Sequence, residues 1–461
     1  MLKQKVVLLD GRLEGDESLS PILDLLINEL HDSNATVKIF SLRDIKMGSC
    51  VGCFGCWIQT PGLCLERDAG RDIVQAVIQS DMTILFTPVT FGGYSSEIKK
   101  SLDRWIPLDL PDFYIDHGEV HHQPRYAQYP RLVGIGVQHQ INVKEAELFK
   151  VLVGRNALNQ HSPNYAAEVV LNTEKPNTIR QQLQKALVRH DVLPLAKVVQ
   201  SLMSTLEVGS KAAPTMKTPG RALLIVGSPK VKSPSTSSVL GGYVLNQLEQ
   251  QGWDIEALTL RRKYLGGKSQ SEFLLSVDQA DLILLAFPLY VDSLPFLMMK
   301  ALEVMAKHLS THHQETPKRL CSIVNNGFPE AHHNALALSI CQRFAVDSDM
   351  IWLGGLAVGA GEALVRGQPL NETQRHGPPV KHVIQALDMT SQALASGQMM
   401  PDEAGKLVAK SPIPFVPFSI WRWLFIKAAS HYWRQKATAN QVDLTTLSAQ
   451  PYADVESAIG V

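Results

Sequence analysis

The sequence predicts two α/β domains in tandem, each a three-layer αβα sandwich around a five-stranded doubly wound parallel sheet, with a helical C-terminal extension. Three observations carry this: a length of 461 residues, a self-similarity at an offset of 200 residues, and short apolar runs alternating with amphipathic helical stretches. At roughly 150 residues per domain, the length admits two or three domains.

The repeat is clearest in QSDMTILFTP, from Gln79, and QADLILLAFP, from Gln279. Asp81 corresponds to Asp281, Leu85 to Leu285, Pro88 to Pro288, Lys100 to Lys300, Leu102 to Leu302, and Asp103 to Glu303. Each copy reads as a helix end, a buried strand, a proline loop and a new helix. First strands are expected at Val6 to Leu9 and Ala222 to Val226. Their apolarity is continuous, as in parallel strands covered on both faces. Helical patterns follow at Leu19 to His31 and Ser237 to Gln251, then second strands at Val37 to Phe40 and Ile255 to Leu260. Fourth strands are expected at Leu132 to Val137 and Leu320 to Asn325. Such alternation implies right-handed βαβ units. The Pro-, Gly- and Ser-containing stretch Glu207 to Gly220 reads as a linker. The expected division is therefore 1–206, linker 207–220, 221–400, and an extension over 401–461.

Composition excludes several classes. Apolar residues make up 45% and charged residues 19%, as in a soluble globular protein. Lys+Arg and Asp+Glu balance at 44 each, so nothing favours nucleic acid as a bulk partner. The apolar run near Met1 is too short for a signal peptide, and no stretch reaches the roughly 18 uncharged residues of a membrane span. The expectation is a cytoplasmic protein. The Trp-rich stretch Phe415 to Trp433 is interrupted by Pro417, Arg422 and Lys427. It suits a helix packed at an interface after the chain-wrapping Pro412, Pro414 and Pro417, or one lying on a membrane surface.

Doubly wound sheets bind ligands outside the carboxyl ends of their strands. In the second half, the first strand runs into GSPKVKSPSTSS, where Lys230 and the hydroxyls of Ser228, Ser235, Thr236 and Ser237 precede a helix. Free N–H groups at that helix start suit a phosphate monoester; a plain capped helix is the alternative. In the first half, Glu14, Asp16 and Glu17 occupy the corresponding loop and repel a phosphate, with Arg12 as the compensating cation. The third-strand loop of the first half holds Pro88, Val89, Thr90, Phe91, Gly92, Gly93 and Tyr94. Its glycines admit close backbone approach and its aromatics can stack on a flat ligand, or else belong to the core. The second half offers Pro288, Leu289, Tyr290 and Val291 there, and Asn325, Asn326 and Gly327 after the fourth strand. His332 and His333 are expected to diverge on a helix. HGEVHH, His117 to His122, is expected to be a solvated loop near the site mouth.

TPVTFGGYSSEIKKSLDR resembles the isoalloxazine-binding loop and helix of the NAD(P)H-dependent FMN reductases and related flavodoxin-like oxidoreductases. AFPLYVDSLPFLMMKALE, from Ala286, is similar but more distant, and GSPKVKSPSTSS resembles the family's phosphate loop. The resemblance spans both halves. It implies FMN held by the loop residues named above, with Pro88 to Tyr94 and Pro288 to Asp292 facing the ring. It also implies NAD(P)H as co-substrate. Cys50, Cys53, Cys56 and Cys64 form C-x2-C-x2-C-x7-C. This spacing resembles that of the iron–sulfur flavoproteins and implies a [4Fe–4S] cluster. Structural or redox thiols and a zinc site are the other readings.

The expected function is FMN-dependent hydride transfer from NAD(P)H to a quinone, a flavin or another small acceptor. An electron-transferring iron–sulfur flavoprotein is the alternative, as is a non-catalytic binding or assembly protein that has lost FMN from one or both halves. A homo-oligomer or a tandem pseudo-dimer is expected. If a single flavin binds, the better phosphate loop places it in the second half.

Overall fold

The computed structural model describes residues 3–204, 218–230, 233–312, 316–365, 367–370, 372–373, 380–411, 413 and 415–453. Most of the expected linker, together with Pro412 and Pro414, lies outside these residues. The chain divides into two units, Met1–Leu195 with Ile426–Val461, and Ala196–Phe425. The sequence-based division at 206 and 401 thus differs in two respects. The helix Ala196–Ser204 belongs to the second unit, and the C-terminal extension is shared, its last segment returning to the first unit.

The first unit contains β1 (Lys5–Asp10), α1 (Ser20–Asp32), β2 (Thr36–Ser41), α2 (Gly55–Ile58), α3 (Ala69–Ile78), β3 (Met82–Pro88) and α4 (Ser96–Leu102). It continues with β4 (Asp109–Asp116), β5 (Glu119–Pro124), β6 (Arg131–Gln138), α5 (Val143–Asn159), β7 (Tyr165–Leu171) and α6 (Pro176–Val188). Its main sheet has the order β2-β1-β3-β6-β7, all parallel. This is the flavodoxin-like doubly wound arrangement. The central strands β3 and β6 are buried along nearly their whole length, whereas the edge strand β2 is exposed or half-buried throughout. On one face, Val6, Leu8, Ile84, Phe86 and Ile135 pack against Ile22 and Leu26 of α1 and Ile179 and Leu183 of α6.

The second unit contains α7 (Ala196–Ser204), β8 (Arg221–Val226), α8 (Thr236–Gln250), β9 (Asp254–Thr259), α9 (Lys268–Gln279), β10 (Leu282–Pro288), α10 (Phe296–Leu309), β11 (Arg319–Asn325), α11 (Ala335–Asp347) and β12 (Ile351–Val358). There follow α12 (Gly361–Val365), α13 (Lys381–Ala395) and α14 (Asp402–Val408), and then α15 (Phe418–Ala439), which belongs to the first unit from Ile426 onward. Its sheet order is β12-β11-β10-β8-β9, again parallel and of the same topology.

The repeated residues have matching structural roles. Asp81 Oδ2 accepts from the Lys5 N–H at 2.7 Å, and Asp281 Oδ2 from the Arg221 N–H at 2.8 Å. Each aspartate thereby satisfies the first free donor of its central strand. At the other edge, the Gly11 and Gly227 N–H groups donate to Phe86 O and Ala286 O, both at 2.8 Å. The two ligand-facing edges are built alike.

Candidate functional site

In the second unit the three expected loops converge. Ser235 caps α8 in a reciprocal capping box with Ser238, so the helix start is tightly formed. Ser237 Oγ donates to Asn325 Oδ1 at 2.7 Å, joining the first loop to the end of β11. The Leu289 N–H donates to Asn325 O at 2.7 Å, joining the third loop to the same residue. Tyr290 and Ser293 bridge a tight turn in which Val291 has φ 46° and Asp292 φ 55°. A β-branched residue there is strained, a cost retained mostly where the turn's shape is used. Ser293 Oγ in that turn is buried without a hydrogen-bond partner, and a side chain at Gly327 would meet open space. An orphaned hydroxyl in the turn after β10, on the same sheet edge as the capped start of α8, fits a flat, phosphorylated ligand. Lys230 and Thr236 instead contact Glu362, at 2.9 and 3.2 Å.

The first unit repeats the turn but not the cradle. Thr90 and Gly93 bridge, with Phe91 at φ 54° and Gly92 at φ 78°. Pro88 ends β3, and the Val89 N–H donates to Val137 O at 2.9 Å. Tyr94 does not present its ring to this edge. It is fully buried, edge-to-face on Phe149 at 5.6 Å, and serves the core. Arg12 does not compensate the acidic loop either. Its guanidinium is bound to Asp10 Oδ2 at 2.8 Å and Ser20 Oγ at 2.6 Å. Asp16 accepts from Leu13 N and is likewise satisfied within the loop.

The cysteines lie on the long connection between β2 and α3. Gly52 N–H donates to Cys50 Sγ and Gly55 N–H to Cys53 Sγ, both at 3.5 Å. Such N–H···S bonds are among the means by which proteins stabilise cluster-bound thiolates. Burial foremost, then the neighbouring cysteines among other groups, pushes the Cys50 thiol up to about 12 and raises Cys56 as well. Among the described residues, no three of the four sulfurs lie within 4.8 Å of one another.

The loop is held at both ends. Asp68 caps α3 and accepts from Gly48 N–H at 2.7 Å while pairing with Arg104 through both carboxylate oxygens at 2.8 and 3.0 Å. Arg71 Nε donates to Cys64 O at 2.8 Å. In the middle, buried Trp57 donates to Asp109 O at 2.9 Å and stacks on Phe54. The returning C-terminal segment covers this cluster. Trp433 meets Phe54 and Trp57 at 4.9 and 5.1 Å, and Arg125 donates to Leu447 O and Ala449 O at 2.7 and 3.0 Å. Sequence reading missed this closure and the Asp68–Arg104 clamp. The only available signals were a helix-capping aspartate and a tryptophan-rich helix.

HGEVHH is not a solvated loop. It forms the turn and second strand of the antiparallel β4–β5 hairpin, with His121 and His122 inside. Both faces of this strand are covered: His122 packs on Trp57, and His121 Nδ1 bonds Asn159 Oδ1 at 2.6 Å. His332 and His333 also depart from expectation, their rings stacking 4.8 Å apart in a 3-10 turn. Desolvation, the main cause, pushes His122 down to about 3. The unfolded chain protonates this histidine near its usual value of about 6.5. Between these limits the unfolded state binds the extra proton, so stability is lost as pH falls, by up to about 1.4 kcal/mol per pH unit. Urea unfolding of the full chain from pH 7 to 4 should show this slope, and His122→Phe should flatten it.

Residues 4–159 match the family model described as NADPH-dependent FMN reductase. Over 108 residues the chain is 31% identical to an iron–sulfur flavoprotein of Methanocaldococcus jannaschii, covering 23% of this chain and 54% of that protein. Over 88 residues it is 31% identical to an iron–sulfur flavoprotein of Archaeoglobus fulgidus, covering 19% and 39%. The chain thus spans about half the length, or less, of these curated relatives. Among solved structures, an NAD(P)H:quinone oxidoreductase from Methanothermobacter marburgensis is similar at 12% identity and a TM-score of 0.33, covering 40% of this chain and 98% of that one. An FMN-dependent NADH-azoreductase from Bacillus anthracis is similar at 12% identity and a TM-score of 0.30, covering 40% and 94%. The similarity to the NADPH-dependent FMN reductase family thus falls on residues 4–159, within the first unit.

Proposed function

We propose that this protein is an FMN-dependent oxidoreductase that takes a hydride from NAD(P)H and passes it to a quinone, a flavin or another small acceptor. The observation that carries this reading is the convergence in the second unit of a capped, hydroxyl-rich helix start, a strained turn and Asn325 on one sheet edge. Ser228, Lys230, Ser235, Thr236 and Ser237 would hold the phosphate. Pro288 to Val291 and Asn325 to Gly327 would hold the ring. Pro88 to Gly93 offer a second, weaker ring site whose phosphate loop is self-satisfied. FMN, when bound, supplies hydride acceptance and donation; the residues named here orient it and exclude water.

Purified full-length protein should carry or take up FMN with the absorbance of an oxidised flavin, and should oxidise NAD(P)H in the presence of a quinone. A colourless preparation that takes up no added FMN would sink this reading. A second reading, electron transfer through an iron–sulfur centre, is supported by the N–H···S bonds to Cys50 and Cys53 and by the placement of all four thiols on one loop. Cys50, Cys53, Cys56 and Cys64 would ligate a [4Fe–4S] cluster, which supplies one-electron transfer when bound. Anaerobic reconstitution should then give about four irons per chain. Cys53→Ala should lose most of that iron, and iron retained in this variant would remove the reading.

A further inference from the structure

We propose that Glu362 is an internal competitor for the phosphate loop of the second unit, a carboxylate held where the phosphate of a bound ligand must go. The inference rests on the FMN reading above and extends it to a residue that neither the motif nor the fold predicts.

Glu362 is the second residue of α12, directly after β12. Its backbone is fixed close to the loop. Gly361 N–H donates to Asn326 O at 2.9 Å, and a side chain at Gly361 would lie 2.9 Å from Asn325 Cβ and 3.1 Å from Thr236 Cγ2. From there the carboxylate reaches Lys230 Nζ at 2.9 Å through Oε1 and Thr236 Oγ1 at 3.2 Å through Oε2. Thr236 opens α8, so its hydroxyl sits where free helix N–H groups face an anion. Glu362 therefore engages two of the donors expected to receive a phosphate.

Charge and exposure indicate that this contact can be displaced. Lys230 and Arg261 both belong to the loop's surroundings, Arg261 Nη2 donating to Lys230 O at 3.4 Å. Against these two cations Glu362 supplies one negative charge. A phosphate monoester supplies about 1.5 to 2. The Lys230 and Glu362 side chains are 32% and 54% exposed, so their pairing is weak and open to competition. The incoming phosphate would take over Lys230 and Thr236, and the freed carboxylate would turn to water.

The test uses full-length apoprotein titrated with FMN and, separately, with riboflavin, which lacks the phosphate. Flavin fluorescence quenching is the readout. Glu362→Gln keeps the shape and removes the charge. It should tighten FMN binding by roughly 3- to 10-fold, the scale of one exposed ion pair plus relief of repulsion, and leave riboflavin unchanged. Unchanged or weaker FMN binding would overturn the inference, as would an equal change for riboflavin, because either would make Glu362 a positioning residue. Inorganic phosphate provides an independent arm. It should raise the melting temperature of Glu362→Gln more than that of the parent, and equal shifts would overturn the inference. Failure of every variant to bind either flavin would instead strike the FMN reading, leaving the phosphate arm to decide the role of Glu362.

Discussion

Replacing Trp57 with alanine should release the cysteine loop of the first unit and cost that unit about 3–5 kcal/mol. Trp57 is 1% exposed and central to the loop's anchorage. Its indole N–H donates to Asp109 O and Ile106 O at 2.9 and 3.2 Å, tying the loop to the start of the hairpin. Its ring meets Phe54, His122 and Trp433 at 5.2, 4.8 and 5.1 Å. Truncation leaves a cavity bordered by three aromatic rings on three different segments, and it removes the indole donor from Asp109 O, which keeps Arg125 Nη2 at 3.1 Å, and from Ile106 O, which keeps the Asp109 N–H. Cys56, the neighbouring residue, is 5% exposed and should become open to alkylation. Denaturation midpoints and the rate of Cys56 modification by iodoacetamide measure both effects. A variant with an unchanged midpoint and a still-protected Cys56 would show that the loop is held elsewhere. Trp433→Ala removes only the outer partner and should have a smaller effect on stability, in the same direction on Cys56.

The second large effect is expected at Asp68. Its carboxylate caps α3, receives Gly48 N–H and pairs with Arg104, whose side chain is 2% exposed. Asp68→Ala leaves the Arg104 guanidinium buried without its counter-charge, a change that costs about 3–5 kcal/mol when such a pair is fully buried. Asp68 itself is 20% exposed, so the lower end of that range is expected. Asp68→Asn keeps part of the hydrogen bonding and should fall between parent and alanine variants. Burial raises the carboxyl, but the Arg104 hydrogen bond, the Gly48 N–H and the Arg104 charge together outweigh it and hold the group below the usual aspartate value. The stabilisation is therefore complete above the unfolded-state value of about 3.9 and disappears as pH falls through the lower folded value. Chemical denaturation at pH 7 and pH 3 should show the parent–Asp68→Ala difference shrinking at the lower pH. A difference independent of pH would mean that the charge is not what matters.

The two parallel doubly wound sheets and their duplicated edges were legible because they depend on local apolar runs and on residues repeated at a constant offset. Asp81 and Asp281 are the clearest instance, one hydrogen bond written twice. The capped helix start of the second unit was legible for the same reason, since capping is a short-range pattern. Loop occupancy was not. Arg12 looked available to an anion, yet it is taken by Asp10 two residues away. Tyr94 looked like a stacking ring, yet it lies against Phe149 of α5.

The sequence by itself determined two parallel doubly wound sheets, the loops at their carboxyl edges and the tight cysteine spacing, because strand burial and helix capping act over a few residues. The tertiary structure decided which of these loops are already engaged. Glu362 reaches Thr236 from 126 positions away, and Arg434 reaches Asp112 across 322. Contacts of that range depend on where the folded layers bring distant segments, and no local pattern records them. The first unit therefore shows an acidic loop satisfied within itself and a braced cysteine loop, and the second a capped helix start engaged by Glu362 of its own chain.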